Sequence, residues 1–492
     1  MTGRIRPRRP SRSRIQPFPL PRLRILLRTR RVQVLLACAV ALVVAAVAVL
    51  TAVSRAGSPD GGPSGSQTRT ATIGLMAPMS GDLASVGTAV RNAVRLAVDE
   101  ANADGASPGW KIRVSVQDDL SRPDGGAQAA GELAADDTVI GVVGPLSSTV
   151  AMVAMPTLSA AGIAVVSPSN SQPGLTGLDT APPRARPYRT YFRLSGTDAL
   201  QARTGAEYAV RTMGRSRIAV VDGGPDFGVS LAERFASDAR DLGATVTGIH
   251  KVHGSTDDPA ELDAVAGQLR DEIPDLVYVA TGYAFAAKLR NELDAHGPSV
   301  SVLGSDGLFD PRYPRRTQSA SEGDVVTDLG APLSELPQAG SFAAAYLQRW
   351  GGDVTNHDTN RDGSGHGSGG DRTATSAATH GKVPRASDRP NPAASPFPSP
   401  SPSPDVDAIP PVAAYAYDAT RTLLRAAGGV LPGRGQVDAA TRAAIVTAVG
   451  EGRFPGVTGE VGFDVWGDAV APVVTVYAVR VQLFVPVGVY RP

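Results

Sequence analysis

From residue 71 to residue 303 the chain alternates short apolar runs of strand length with helix-length stretches, and this alternation constrains the fold more than any other feature. The strand-length runs are 72–77, 111–117, 139–143, 163–166, 217–221, 245–250, 275–280 and 300–303. Between the first two, 80–104 carries Val86, Val90, Val94 and Ala97 at helical spacing, with Ser80 and Asp82 as candidate caps. The stretches 126–135, 147–161, 229–242, 259–270 and 285–295 read as helices in the same way. Helices inserted between short apolar strands imply right-handed βαβ units and parallel sheets covered on both faces. The strands are too many for one compact sheet, so two α/β lobes are expected.

Charge divides the chain further. Residues 1–31 hold eleven Arg and no acid, leaving 37 basic against 47 acidic residues in the rest. The basic head runs into 32–53, where only Gln33 and Thr51 are polar. As a helix this run spans roughly 33 Å, enough to cross a bilayer core. The expectation is a cytoplasmic head (1–31), a transmembrane anchor or signal (32–53) and an extracytoplasmic body, by the positive-inside bias. Leu35 to Cys38 imitates a lipoprotein cleavage box, but too few apolar residues precede Cys38 for a working signal. A Gly/Ser/Pro linker covers 54–70, and a second Gly/Ser/Pro-rich segment, 351–409, is too poor in large apolar side chains to offset its ordering entropy and is expected to be disordered. Helical signal returns at 412–427 and 439–449, with strand-like stretches across 461–481.

Composition excludes several functions. An acidic body offers no basic face to phosphates, so no nucleic-acid partner is expected. The four lysines, Lys111, Lys251, Lys288 and Lys382, complete no G-x-x-x-x-G-K-[ST] loop. The single Cys38 cannot form an intrachain disulfide or a cysteine-based zinc site. Asp358 to Gly363 starts like a calcium loop, but its twelfth position is Gly369, not Glu. His357, His366 and His380 have no compact ligand spacing. No cofactor or metal is expected. No G-x-S-x-G elbow occurs, and His250, His253 and His296 lie outside the strand-end loops, so the chain does not read as an enzyme.

In open α/β sheets, ligands bind beyond the carboxyl ends of the strands. Three such ends are polar here. Gly144-Pro145-Leu146-Ser147-Ser148-Thr149 leads into a helix whose start, with Ser147 and Ser148, can receive a carboxylate or can simply be serine-capped. Ser167-Pro168-Ser169-Asn170-Ser171 is a second polar end or an ordinary turn. In Gly304-Ser305-Asp306-Gly307 the acid can meet an ammonium group or cap the turn. A carboxylate receptor and a lone acid together suit a zwitterionic amino acid.

The segments IGLMAPMSGDLASVGTAVRNAVRLAVDEAN, VIGVVGPLSSTVAMVAMPTLSAAGIAVVSPSNSQPGLT, RIAVVDGGPDFGVSLAERF and GVTGEVGFDVWGD resemble extracytoplasmic solute-binding proteins of the leucine/isoleucine/valine-binding type, which have the class I periplasmic-binding-protein fold and serve ABC importers. The likeness spans about 71–481 apart from the insert. It implies two Rossmann-like lobes joined by a hinge and closing on the ligand: lobe 1 from 71–190 with 328–350 and 410–460, lobe 2 from 191–327 with 461–481. It also implies a permease and an ATPase in trans. Ser148 falls where a hydroxyl holds the ligand carboxylate, and Ser169 and Ser171 where a carbonyl and a hydroxyl hold the polar end. Asp306 falls where the family places an acid, usually Glu, against the ammonium. Tyr283 matches an aromatic lining position, and Phe227 stands where close relatives carry Tyr. A ligand-sensing ectodomain is the alternative, since this fold also serves receptors.

Overall fold

The computed structural model describes residues 68–224, 229–253, 259–297, 299–336, 338–356 and 409–491. The basic head, the apolar run 32–53, Phe227 and most of the 351–409 insert lie outside these residues. Among the described residues no helix is long and apolar enough to cross a membrane.

Strands β1 (Arg69–Ala77), β2 (Trp110–Asp118), β3 (Val139–Val143), β4 (Ala164–Ser167) and β5 (Tyr191–Arg193) form a parallel sheet in the order β2-β1-β3-β4-β5. Helices α1 (Ala84–Ala103), α2 (Pro123–Ala135) and α3 (Ser148–Ala160) are its crossovers. The two-residue period of β1 feeds both faces: Ile73, Leu75 and Ala77 join the core under α1, while Met76 joins Leu133 of α2 and Met155 of α3.

The second sheet follows α4 (Asp198–Glu207) and is built from β6 (Arg217–Asp222), β7 (Thr245–Lys251), β8 (Leu276–Ala280), β9 (Ser301–Gly304) and β10 (Val325–Asp328). Helices α5 (Val229–Asp241), α6 (Pro259–Glu272), α7 (Tyr283–His296) and α8 (Arg312–Thr317) alternate with these strands. The chain then returns to the first sheet, where α9 (Ala339–Asn356), α10 (Pro411–Val430) and α11 (Ala439–Glu451) pack on the α1 face. The small hairpin β11 (Phe454–Gly456) and β12 (Gly459–Val461) follows. Finally β13 (Val474–Arg480) and β14 (Leu483–Tyr490) add antiparallel to the edge of the second sheet, giving β14-β13-β10-β9-β8-β6-β7.

Several boundaries differ from the sequence reading. Residues 191–193 pair with β4 in the first sheet, so the first crossing lies at 194–197. Residues 461–473 stay with the first lobe, where Phe463 packs on Phe192 at 4.9 Å between ring centroids and Val461 and Val473 join the same core. The second sheet runs past 481 because Val481 and Gln482 make the hairpin turn at φ 49 and 61, without the Asn-Gly or Asp-Gly that marks such a turn. No apolar periodicity announces α4, because its buried face is small and mixed (Gln201, Ala202, Gly205, Ala206). β1 begins at Arg69, inside the expected linker, and Ile409 at the far end of the insert is fully buried. α9 continues through 351–356 despite Gly351 and Gly352: once Phe342, Ala343 and Tyr346 anchor the helix in the core, propagating one more turn costs little.

Candidate functional site

The carboxyl end of β3 turns at Gly144, whose φ is +98 and where any Cβ would strike the Met76 carbonyl. This turn delivers Ser147 to the N-cap of α3 in an extended conformation (φ −80, ψ 136). No side chain caps the helix; Ser147 Oγ instead shares a 2.8 Å hydrogen bond with Thr149 Oγ1. The first-turn amides and the positive end of the helix dipole thus form an anion-receiving surface. Ser148 Oγ accepts from the Ser171 and Gln172 amides at 3.3 and 3.4 Å. With two acceptor bonds made, its single proton is left to donate outward.

The loop after β4 is held from beneath. Ser167 Oγ, fully buried, donates to the Pro145 carbonyl at 3.0 Å and accepts from the Ser169 and Asn170 amides at 3.3 and 3.0 Å. Ser169 Oγ and Asn170 Nδ2 both donate to the Leu146 carbonyl, at 2.9 and 2.8 Å, and Asn170 Oδ1 accepts from Tyr191 at 3.1 Å. Asn170 is therefore a strut whose amide is engaged at both ends. Arg193, with no exposed surface, ties this loop to the 464–468 segment: Nε donates to Asp468 at 2.7 Å, Nη1 to the Gln172 carbonyl at 2.8 Å and Nη2 to Thr176 Oγ1 at 2.6 Å. Arg184 adds a second 2.7 Å ion pair to the same Asp468.

Across the first crossing, Thr197 caps α4 by accepting the Leu200 amide at 3.2 Å, and the Asp198 amide donates to the Ser171 carbonyl at 2.9 Å. Burial pushes the Asp198 carboxyl up to about 7; the Ser171 hydroxyl pulls it back and the Asp306 charge raises it further. Asp306 opens the 3-10 turn Asp306–Leu308 beyond β9, and its Oδ1 accepts from Gln201 Nε2 at 3.3 Å. Desolvation raises its carboxyl too, although as a residue it keeps some exposure. At the end of β10, burial and the Asp306 charge push Asp328 up to about 7.

Ser148, Ser169, Asn170 and Ser171 thus converge in one hydrogen-bonded cluster on the first lobe, with Ser147 beside it paired to Thr149, and Asp198 connects that cluster to Asp306 on the second. Tyr283, at the start of α7, stacks under the guanidinium groups of Arg312 at 4.3 Å and Arg316 at 5.4 Å. Asp198, Gln201 and Asp328 escaped the sequence reading. The Thr197-Asp198 pair, a cap followed by a first-turn acid, is the signal that could have located α4 and with it Asp198 and Gln201. A surface cavity of about 410 Å³ lined by Phe342, Tyr417 and Arg421 lies on the α9–α10 side of the first lobe and includes none of these residues.

The family model described as periplasmic binding protein matches residues 70–360. The chain is 29% identical over 259 residues to a Leu/Ile/Val-binding protein of Rhizobium johnstonii, covering 52% of this chain and 67% of that one. Its fold is similar to that of a leucine-binding protein from Thermotoga maritima, with a TM-score of 0.63 at 20% identity over 86% of this chain and 99% of the other. A branched-chain amino acid transporter substrate-binding protein from Streptococcus pneumoniae, solved in complex with isoleucine, also gives a TM-score of 0.63 at 20% identity, over 86% of this chain and all of its own length. Two lobes built on largely parallel sheets, a chain that crosses between them three times and a family model covering more than half its length place this chain in the periplasmic binding protein family.

Proposed function

We propose that the chain is an extracytoplasmic solute-binding protein that captures an amino acid or related small molecule between its lobes and delivers it to an ABC importer. The observation that carries this reading is the polarity of the two walls. The first lobe offers an uncapped helix start and a serine proton, both suited to a carboxylate. The second offers Asp306, a carboxyl raised by burial at the end of β9 and suited to an arriving ammonium. In this reading Ser148 and the α3 amides hold the carboxylate, while Ser169 and Ser171 hold the polar end through a carbonyl and a hydroxyl. Asp306 holds the ammonium, and Tyr283 lines the cleft. Asn170 positions the loop from below. The similarity to a Leu/Ile/Val-binding protein supports the ligand class.

Ligand that touches both walls binds the closed arrangement better than the open one and so shifts the population toward it. The closed form is then what a permease and ATPase in trans would recognise. The basic head 1–31 and the apolar run 32–53 would hold the body at the outer face of a membrane, or direct its export if cleaved.

A thermal-shift screen of the full chain against amino acids, amides and small aromatic acids tests the ligand class. An amino acid should raise Tm, and Asp306→Ala should weaken its binding about 10- to 100-fold, the worth of a hydrogen bond to a charged group. An unchanged Tm with every amino acid, alongside a rise with an aromatic acid, would sink the reading.

A further inference from the structure

The second wall carries more carboxyl groups than one ammonium group needs. Asp198 and Gln201 stand three residues apart on α4, so both side chains leave the same face of the helix. Gln201 Nε2 reaches Asp306 Oδ1 at 3.3 Å, the Thr327 carbonyl at 3.1 Å and Thr327 Oγ1 at 3.2 Å. β10 lies parallel to β9 with Val326 opposite Gly304. The shared Gln201 amide therefore sets the Asp306 carboxyl beside the peptide that joins Thr327 to Asp328. The Asp306 charge acts on both Asp198 and Asp328.

Three polar atoms in this neighbourhood are buried without a hydrogen-bond partner: Gln201 Oε1, Ser305 Oγ and the Tyr278 hydroxyl. All three residues have no exposed surface. The Gln201 amide is already in contact with Asp306, Ser305 adjoins it in the chain, and Tyr278 feels both Asp306 and Asp198. From the first lobe, the Tyr415 hydroxyl of α10 feels the Asp328 charge. The Arg193 charge reaches Asp198, but that guanidinium is committed to Asp468. Buried acids with unpartnered polar atoms beside them and, among the described residues, no cation bonded to them call for a positively charged visitor carrying several N–H donors. The acids do not close on one point as metal ligands do: among the described residues no group of three or more His, Cys, Asp or Glu is arranged to hold a metal ion.

We propose that this wall selects a ligand with a second positive charge, an amino acid with a basic side chain or a diamino acid, whose α-ammonium lies against Asp306 and whose distal cation lies against Asp328 and Asp198. The inference rests on the amino-acid reading above and narrows it. Burial raises the Asp198 and Asp328 carboxyls to about 7, so a cation that lowers them releases protons on uptake near neutral pH.

Isothermal titration calorimetry of the full chain with lysine, ornithine, arginine and leucine, in two buffers of different ionisation enthalpy, tests it. One basic amino acid should bind at least about tenfold more tightly than leucine, with net proton release. Asp328→Asn should cut that preference to below about threefold, and Asp328→Glu should restore most of it. Leucine binding as tightly as every basic amino acid in the unaltered protein overturns the inference and leaves the amino-acid reading standing. Failure of all amino acids to bind removes both. A full preference for the basic ligand in Asp328→Asn also overturns it. The unaltered protein decides the first two outcomes, so poor folding of a variant cannot shelter the idea.

Discussion

The two walls of the cleft are built on opposite plans. On the first lobe, nearly every polar group of the 167–172 loop has a named partner: Ser167 makes three hydrogen bonds, Asn170 is engaged at both ends of its amide, and Arg193 is paired with Asp468. On the second lobe, Asp198 and Asp328 each feel the Asp306 charge, all three carboxyls are raised by burial, and polar atoms beside them bond to nothing. A satisfied wall is rigid before ligand arrives and presents its spare proton and helix start in fixed positions. An unsatisfied wall stores a cost that a cation relieves. Recognition of the anionic end is therefore a matter of shape set in advance, and recognition of the cationic end a matter of charge completed on binding.

Removing the keystone of the satisfied wall should have the largest effect. Asp468→Ala leaves Arg193 buried without its counter-charge and releases Arg184 as well. Losing one partner of a buried pair costs about 3–5 kcal/mol, so a urea melt should show a loss of that size. A loss below about 1 kcal/mol would mean that the loop is held by its backbone contacts and that the contrast between the walls has been overstated.

A pH series separates the walls next. Asp198 and Asp328, at about 7 when folded, sit near 3.9 when unfolded, so the folded state binds more protons between these values. Stability should then rise as pH falls from 8 to 5 and be lost as pH climbs through 7. The shift in Tm should be on the order of 5 °C in ligand-free protein. Asp198→Asn together with Asp328→Asn should roughly halve that slope, since Asp324 at about 7 and Asp119 at about 6 supply the rest. A Tm that falls steadily from pH 8 to 5 would show that the second wall holds its carboxylates ionised and is no less satisfied than the first.

How much of this was legible in the sequence follows the same division. Strand-helix alternation located β1 to β4 and β6 to β9 because apolar periodicity is local, and it located the Ser148 and Asp306 strand ends because polar residues there interrupt it. Asp328 was hidden, since its meaning depends on β10 lying beside β9, a pairing that no local pattern announces. Gln201 was hidden for the converse reason: α4 buries small and polar side chains, so its periodicity is faint. Arg193 and Asp468 are separated by most of the second lobe in sequence and meet only because the chain crosses back. Pairings of high sequence separation belong to topology, and topology is what composition and spacing leave open.

The smallest expected effect compares two buried hydroxyls. Ser167→Ala deletes three hydrogen bonds and strands the Pro145 carbonyl, and should cost about 1–3 kcal/mol. Tyr278→Phe deletes a hydroxyl that bonds to nothing, while the phenyl ring keeps its stacking on Phe235 at 3.6 Å and 3°. It should leave stability unchanged or raise it by up to about 1 kcal/mol, read in the same urea melts. Opposite signs for the two changes would confirm that the walls differ in satisfaction; a matching loss in Tyr278→Phe would mean that the hydroxyl has a partner in solution. If the variant is more stable but binds its basic ligand less well, the orphaned hydroxyl is a cost carried by the free protein and recovered in the complex. That is what an unfinished wall is for.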